Sequence, residues 1–324
     1  MTAAIDPKEW LRFVEREYLA GFIRDGGSSI KFAVPLDDNI RPELFDALTR
    51  LAEQSGYLFV RIDAADTKVH MVDEVFFRAA EHVPWRGLSG QVIAKLAAEA
   101  GYAWPSSPKT DDPLYIQLAD ENKVEPKMIL LDVKKAIGSR VFKQRELAKD
   151  FRIAMTHLCI AELSGGQDGV TTTKVLIEWL TGQNKAVSPV KQYQIFRRIN
   201  RTTARYFFES LVHWIRFAGC SGVVICLDTA RVALVRNPHD QGVYYSKAAV
   251  LDSYEVLREF IDGVDDLKGC LMVVVPDIAF LEDHSRGISA YEALKFRVFD
   301  EVRDKRLVNP MASLVRLSGV VRGN

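Results

Sequence analysis

The residues with the clearest chemical potential stand at the ends of apolar runs. Residues 223–227 close on Asp228 and Thr229, and residues 271–275 close on Pro276 and Asp277. Unbroken apolar runs of this length are the pattern of strands covered on both faces. A carboxylate ending such a strand is where a nucleotide-hydrolysing enzyme orients magnesium and its water. Thr229 stands where a second carboxylate would polarise the attacking water, and a threonine hydroxyl is no general base at neutral pH. The structural role open to Asp228 is to accept backbone amides of the turn that follows it.

A third candidate place follows the strand expected at residues 30–34. A phosphate-binding loop there would be rich in glycine and end in Gly-Lys-Ser/Thr, so that backbone amides and the lysine hold phosphate. The chain instead reads Pro35-Leu36-Asp37-Asp38-Asn39-Ile40-Arg41-Pro42. Asp37 and Asp38 would set like charge against a polyphosphate, and the ordinary role of such residues is to cap the helix that follows. In an open parallel sheet, ligands bind beyond the carboxyl ends of the strands. The loop after Val34, the Asp228-Thr229 pair and Asp277 are therefore expected side by side.

A second constellation is basic. Arg197, Arg201 and Arg205 recur every four residues within a helix expected over 192–217, which would align them on one face beside Arg198, with Tyr193 and Tyr206 flanking. Such a stripe is either a phosphate-backbone or protein-docking surface or a solvated helix face. His70, His82, His157, His213, His239 and His284 never pair at ligand spacing, and no nucleophile elbow or dinucleotide-binding glycine motif is present. Cys159, Cys220, Cys226 and Cys270 lack Cys-x-x-Cys spacing and sit among apolar residues, as buried thiols do in a reducing compartment.

Composition bounds these readings. The 324 residues are 48% apolar and 27% charged, with 43 Lys plus Arg against 43 Asp plus Glu. No whole-chain field recruits nucleic acid or acidic membrane, so any such contact is a local patch. Asp6, Lys8 and Glu9 interrupt the opening segment before a secretory apolar region can form, and the longest apolar runs are too short to span a bilayer. A soluble, cytoplasmic protein without membrane contact is expected.

The elements that must position these residues follow from periodicity. Trp10, Phe13, Val14, Tyr18, Leu19 and Phe22 predict a helix stopped at Gly26-Gly27, then a strand at 30–34 and a helix through Leu44, Leu48 and Leu51. A strand at 57–62 and a helix at 69–80 continue the α/β alternation. From 85 to about 183 the spacing is helical, broken at Trp104-Pro105-Ser106-Ser107-Pro108 and Asp111-Asp112-Pro113, which predicts a helical insertion. Helices at 248–260 and 290–302 flank the strand at 271–275, and a short strand is expected at 312–317. The expected domains are the first half of an α/β core at 1–84, the insertion at 85–190, and the second half of the core at 191–324.

The order of segments resembles the ATP-binding P-loop proteins of the bacteriophage exclusion (BREX) defence systems. The resembling segments are Gly26-Gly27, Leu51-Ala52 with Gly56-Tyr57, Lys149-Asp150-Phe151-Arg152 and Ile177-Glu178-Trp179-Leu180-Thr181-Gly182. They continue with Gly219-Cys220-Ser221-Gly222 running to Leu227-Asp228, and with Arg286-Gly287-Ile288-Ser289-Ala290-Tyr291-Glu292-Ala293-Leu294 followed by Arg297. The resemblance covers most of the chain from about residue 10 to 318 and implies a parallel-sheet P-loop NTPase core of the AAA type, ATP with Mg2+ as cofactor, and Asp228 as the metal-orienting group. It also implies that Arg286 and Arg297 reach a nucleotide across a subunit interface. Two departures stand against it: Pro35, Asp37, Asp38 and Arg41 occupy the phosphate-loop position, and Thr229 replaces an acid. Three readings follow. The first is a degenerate, scaffold-like subunit of a BREX-type system that docks in a homo- or hetero-oligomer onto an active paralogous ATPase or another defence protein. The second is an active ATPase whose phosphate ligands include Lys31, Arg41 or a partner's arginine. The third is a DNA-binding adaptor using Arg197, Arg201 and Arg205.

Overall fold

The computed structural model describes residues 4–106, 112–235, 241–299 and 309–319. The chain opens with α1 (Pro7–Phe13), capped by the Asp6 carboxylate and continued as a π-helical stretch over Val14–Phe22. Gly26, at φ 99°, ends that stretch in the left-handed region that glycine adopts without cost. β1 (Ser29–Pro35), α2 (Ile40–Gln54), β2 (Tyr57–Asp63) and α3 (Val72–Glu81) follow, as the strand-loop-helix pattern predicts.

A helical unit, Val83–Gly219, is then inserted into the chain. It holds α4 (Trp85–Glu99), α5 (Leu114–Asn122), α6 (Pro126–Arg140), α7 (Lys149–Ser164), α8 (Gly166–Leu180) and α9 (Ala204–Ala218). Its core is aromatic: Phe151 packs on Trp85 and Phe207, and Trp179 meets Phe207 edge-on at 5.6 Å. The proline-bearing breaks fall between α4 and α5, with Ser107, Pro108 and Asp111 outside the described residues, as is His239.

The helix expected over 192–217 begins only at Ala204. A short 3-10 turn ends at Tyr193, and Gln194 then adopts a left-handed backbone at φ 63°. The buried Asp150 carboxylate takes the amides of Phe196 at 2.8 Å and Arg197 at 3.1 Å, groups that a helix would need for its own ladder. Arg197 and Arg201 are therefore on an irregular segment and Arg205 on α9, so the three do not share a helix face. This segment and α9 group with the inserted unit, not with the second half of the core.

The first unit, Met1–His82 with Cys220–Asn324, resumes with β3 (Gly222–Asp228), α10 (Lys247–Asp262), β4 (Cys270–Val275), the single turn α11 (Ala279–Glu282), α12 (Glu292–Val298) and β5 (Leu314–Leu317). Residues 300–302 of the predicted last helix lie outside the described residues. The five strands form one parallel sheet in the order β2-β3-β4-β1-β5. This α/β architecture is consistent with the P-loop NTPase class. Every residue of β3 and β4 is buried, as their unbroken apolar composition requires. Val224, Cys226, Leu271 and Val273 share a core cluster with Trp10, Leu19, Leu44 and Leu48, whereas Phe32 stacks 5.7 Å from Phe280. Burial pushes the thiols of Cys159 and Cys270 up to about 12, which leaves them protonated apolar fillers.

β3 starts where no side chain fits: a Cβ on Gly222 would lie 2.1 Å from the carbonyl oxygen of Gly269. That carbonyl accepts the Val223 amide that opens the β3–β4 ladder. Gly222→Ala is expected to lower stability by about 3 kcal/mol or more, because backbone rather than a side chain must yield. Thermal unfolding followed by circular dichroism checks this, with a clear fall in Tm as the expected result.

Candidate functional site

Because β3, β4 and β1 are neighbours in the sheet, their carboxyl ends present Asp228, Pro276-Asp277 and the loop from Leu36 together. What fills the space between them is Arg41, in the first turn of α2. Its Nη1 donates to Asp228 Oδ1 at 3.2 Å and to the Val275 carbonyl at 3.0 Å, and its Nη2 donates to the Pro276 carbonyl at 3.1 Å. The pair is enclosed: 13% of the Arg41 side chain and 8% of the Asp228 side chain remain exposed. Asp228 Oδ1 also accepts the Ala230 amide at 3.2 Å, and Oδ2 faces Arg61 at 3.8 Å. The turn-capping role open to Asp228 is thus present, combined with a buried ion pair.

Four amides of the loop ahead of α2 are engaged within the chain. Leu36 N–H donates to Leu317 O, Asn39 N–H to the Asp37 carboxylate, Ile40 N–H to Asp37 O and Arg41 N–H to Asp38 O. Pro42 has no amide to give. Asp37 closes the turn, while Asn39, the residue at the helix cap, makes no side-chain cap bond. Asp38 is exposed and 3.9 Å from Arg41. The loop has no glycine, carries two acids, and its arginine is paired with Asp228.

Two further residues join this network that the sequence reading passed over. Asp63 ends β2 in register with Asp228, and Arg61, two residues earlier, lies 3.7 Å from Asp63 and stacks 4.2 Å over Phe45. The signal was available, since residues 57–62 are a strand closing on an acid just as 223–227 are. Thr229 is buried, with its amide donating to Val275 O at 3.0 Å. Asp277 accepts the Ala279 amide at 2.8 Å. Lys31 lies mid-strand and donates to the carbonyl of Met311 at 2.5 Å, with its ammonium 4.8 Å over the Tyr18 ring, so it does not join the strand-end network.

The two arginines expected at a subunit interface are engaged within the chain. Arg286 donates to Ala233 O at 3.1 Å, Val232 O at 3.4 Å and Tyr245 O at 2.6 Å, which fastens the segment after β3 at both ends. Arg297 pairs with Asp262 and donates to Ala293 O at 2.7 Å. His284-Ser285-Arg286 is a turn closed by the Asp283 carboxylate. Among the described residues no cluster of three or more His, Cys, Asp or Glu could hold a metal ion, and no helix is long and apolar enough to cross a membrane.

Comparison with known proteins decides the family. A model of the BREX system ATP-binding proteins BrxC/D matches residues 116–323, well over half of the chain. The chain belongs to the BrxC/D family. The matched region begins within α5 and takes in β3, β4 and β5, so it contains Asp228, Asp277, Arg286 and Arg297. It leaves out β1, β2 and the Pro35–Pro42 loop, so the family match covers Arg41's partner but not Arg41. No curated protein and no solved structure matches this BrxC/D member.

The ion pair sets a pH dependence. Burial raises the Asp228 pKa above its usual 3.8, and Arg41, then the Ala230 amide, pull it back. The folded state therefore holds this proton more tightly than the unfolded chain, and stability falls as pH rises through the window above 3.8. Arg41→Ala removes the chief counter-charge and is expected to cost about 3 kcal/mol at neutral pH. The cost should shrink as the pH is lowered toward 4, where Asp228 can enter the fold neutral. Urea unfolding of wild type and variant at several pH values measures it; a penalty independent of pH would refute the electrostatic origin.

Proposed function

We propose that this chain serves in a BREX antiphage defence system as a P-loop-type subunit whose nucleotide position is closed, acting as a scaffold or partner of a competent ATPase. The observation that carries the reading is Arg41 bound to Asp228 and to the carbonyls of Val275 and Pro276 at the place where a triphosphate and its metal would sit. A guanidinium so held is neutralised and has little left to offer phosphate, and Asp228 so held has little left for magnesium. Asp37 and Asp38 add like charge, and Thr229 supplies no base. With the chemical groups replaced, the sheet and its strand-end loops remain as a rigid surface for other proteins of the system, in a homo- or hetero-oligomer in the cytoplasm.

The competing reading is that the chain binds and hydrolyses ATP, as the family's description states for its members and as the retained Asp228 permits. Equilibrium titration with a fluorescent ATP analogue and Mg2+ separates the two. The closed-site reading expects no saturable binding at millimolar nucleotide in the wild type. Submillimolar binding that Asp228→Ala weakens, together with hydrolysis lost in Asp228→Asn, would overturn it in favour of an active ATPase.

A further inference from the structure

We propose that residues 194–206 of the inserted unit form a preformed platform for a single-stranded polynucleotide. This inference rests on the inserted unit alone and is independent of whether the nucleotide position is closed.

The first observation is charge. Residues 179–208 contain six basic residues, Lys185, Lys191, Arg197, Arg198, Arg201 and Arg205, and no Asp or Glu, in a chain whose net charge is zero. Arg197, Arg198 and Arg201 are exposed. Arg198 and Arg201 make no ion pair among the described residues, whereas Arg205 is held by Glu209 at 3.2 Å. Arg197 lies 4.0 Å from the buried Asp150 carboxylate, so Arg198 and Arg201 are the two arginines of the run without an acid among the described residues. Such a local basic excess in a neutral protein is complementary to a polyanion.

The second observation is aromatic. Phe196 is 63% exposed and Tyr206 59% exposed, flanking the arginines on either side in the chain. Exposed rings occur elsewhere in the chain, as at Phe296, and what distinguishes these two is their place beside the basic run. A base offers a flat π face to such a ring, and stacking of this kind is available in a single strand, where bases are not already stacked in a duplex.

The third observation is order. The segment is fixed from beneath by buried Ile195 and Ile199 and by the Asp150 carboxylate on the amides of Phe196 and Arg197. At its other end the Asn200 side chain accepts the amides of Thr202 and Thr203, both at 3.1 Å, and the Thr203 hydroxyl donates to Arg198 O at 2.7 Å. A backbone already held in place loses little further entropy on binding, which favours a recognition role over that of an idle loop.

The test is fluorescence anisotropy of the full-length protein with a labelled deoxythymidine 20-mer, a uridine 20-mer and a duplex of equal length, over a salt series. The expected result is single-strand binding that weakens steeply with salt, with the duplex about tenfold weaker. Phe196→Ala should weaken it about tenfold and Phe196→Trp should restore it. Arg198→Gln with Arg201→Gln should flatten the slope of log K against log salt by about 1.4, two phosphate contacts at about 0.7 each. The two homopolymers decide between DNA and RNA. Absence of binding at about 50 mM salt would overturn the proposal; so would tighter binding of duplex, or indifference to Phe196→Ala. These side chains are exposed, so unchanged melting of the variants separates lost contact from lost fold.

Discussion

Arg41 and Asp228 form an ion pair almost out of reach of water, and such a pair is stable only where geometry is good and the remaining hydrogen-bonding groups are satisfied. Both conditions come from the sheet. Adjacent β3 and β4 bring Asp228 beside the Val275 and Pro276 carbonyls, and α2 starts close enough after β1 for its first turn to reach them. The guanidinium then joins the ends of two strands to the start of a helix. A lysine ammonium, a point donor, could not span the carboxylate and two carbonyls with the same fixed fork. The glycine-free loop is compatible with this arrangement because the amides of Leu36, Asn39, Ile40 and Arg41 are bonded to Leu317, Asp37 and Asp38.

The α/β core was legible because β3 and β4 are built on unbroken apolar runs and each is followed by an acid or a proline in the sequence. The same reading identified the loop, Asp228 and Asp277 as neighbours. It missed Arg61 and Asp63, since β2 carries exposed and half-buried residues and looks less like an interior strand. The helix expected through Arg197 and Arg201 failed for a different reason. Apolar spacing at Phe196, Ile199 and Phe207 continues the helical period, but the backbone there is taken by Asp150, 46 residues away in the chain. Sequence periodicity carries no information about a carboxylate that arrives from elsewhere in the fold. Arg286 and Arg297 were assigned outward roles by resemblance; in the fold both bond to carbonyls or a carboxylate of the same chain.

Membership in the BrxC/D family and the character of the strand-end site pull in different directions. The family's matched region holds the acid, and the unmatched first part of the chain supplies the arginine that occupies it. The inserted unit shows the reverse arrangement of charge: a buried acid orders a segment while the arginines beside it face solvent. One unit uses its cation to fill a site, and the other displays its cations.

The proposed closure of the strand-end site rests on the Arg41–Asp228 pair. Hydrogen–deuterium exchange of the intact protein, with and without millimolar Mg-ATP, tests it at the residues themselves. A closed site gives unchanged exchange across residues 35–41 and 228–231, with both segments protected in the absence of nucleotide. Nucleotide-dependent protection or opening confined to those two segments would mean that the pair yields to ATP, and would contradict it.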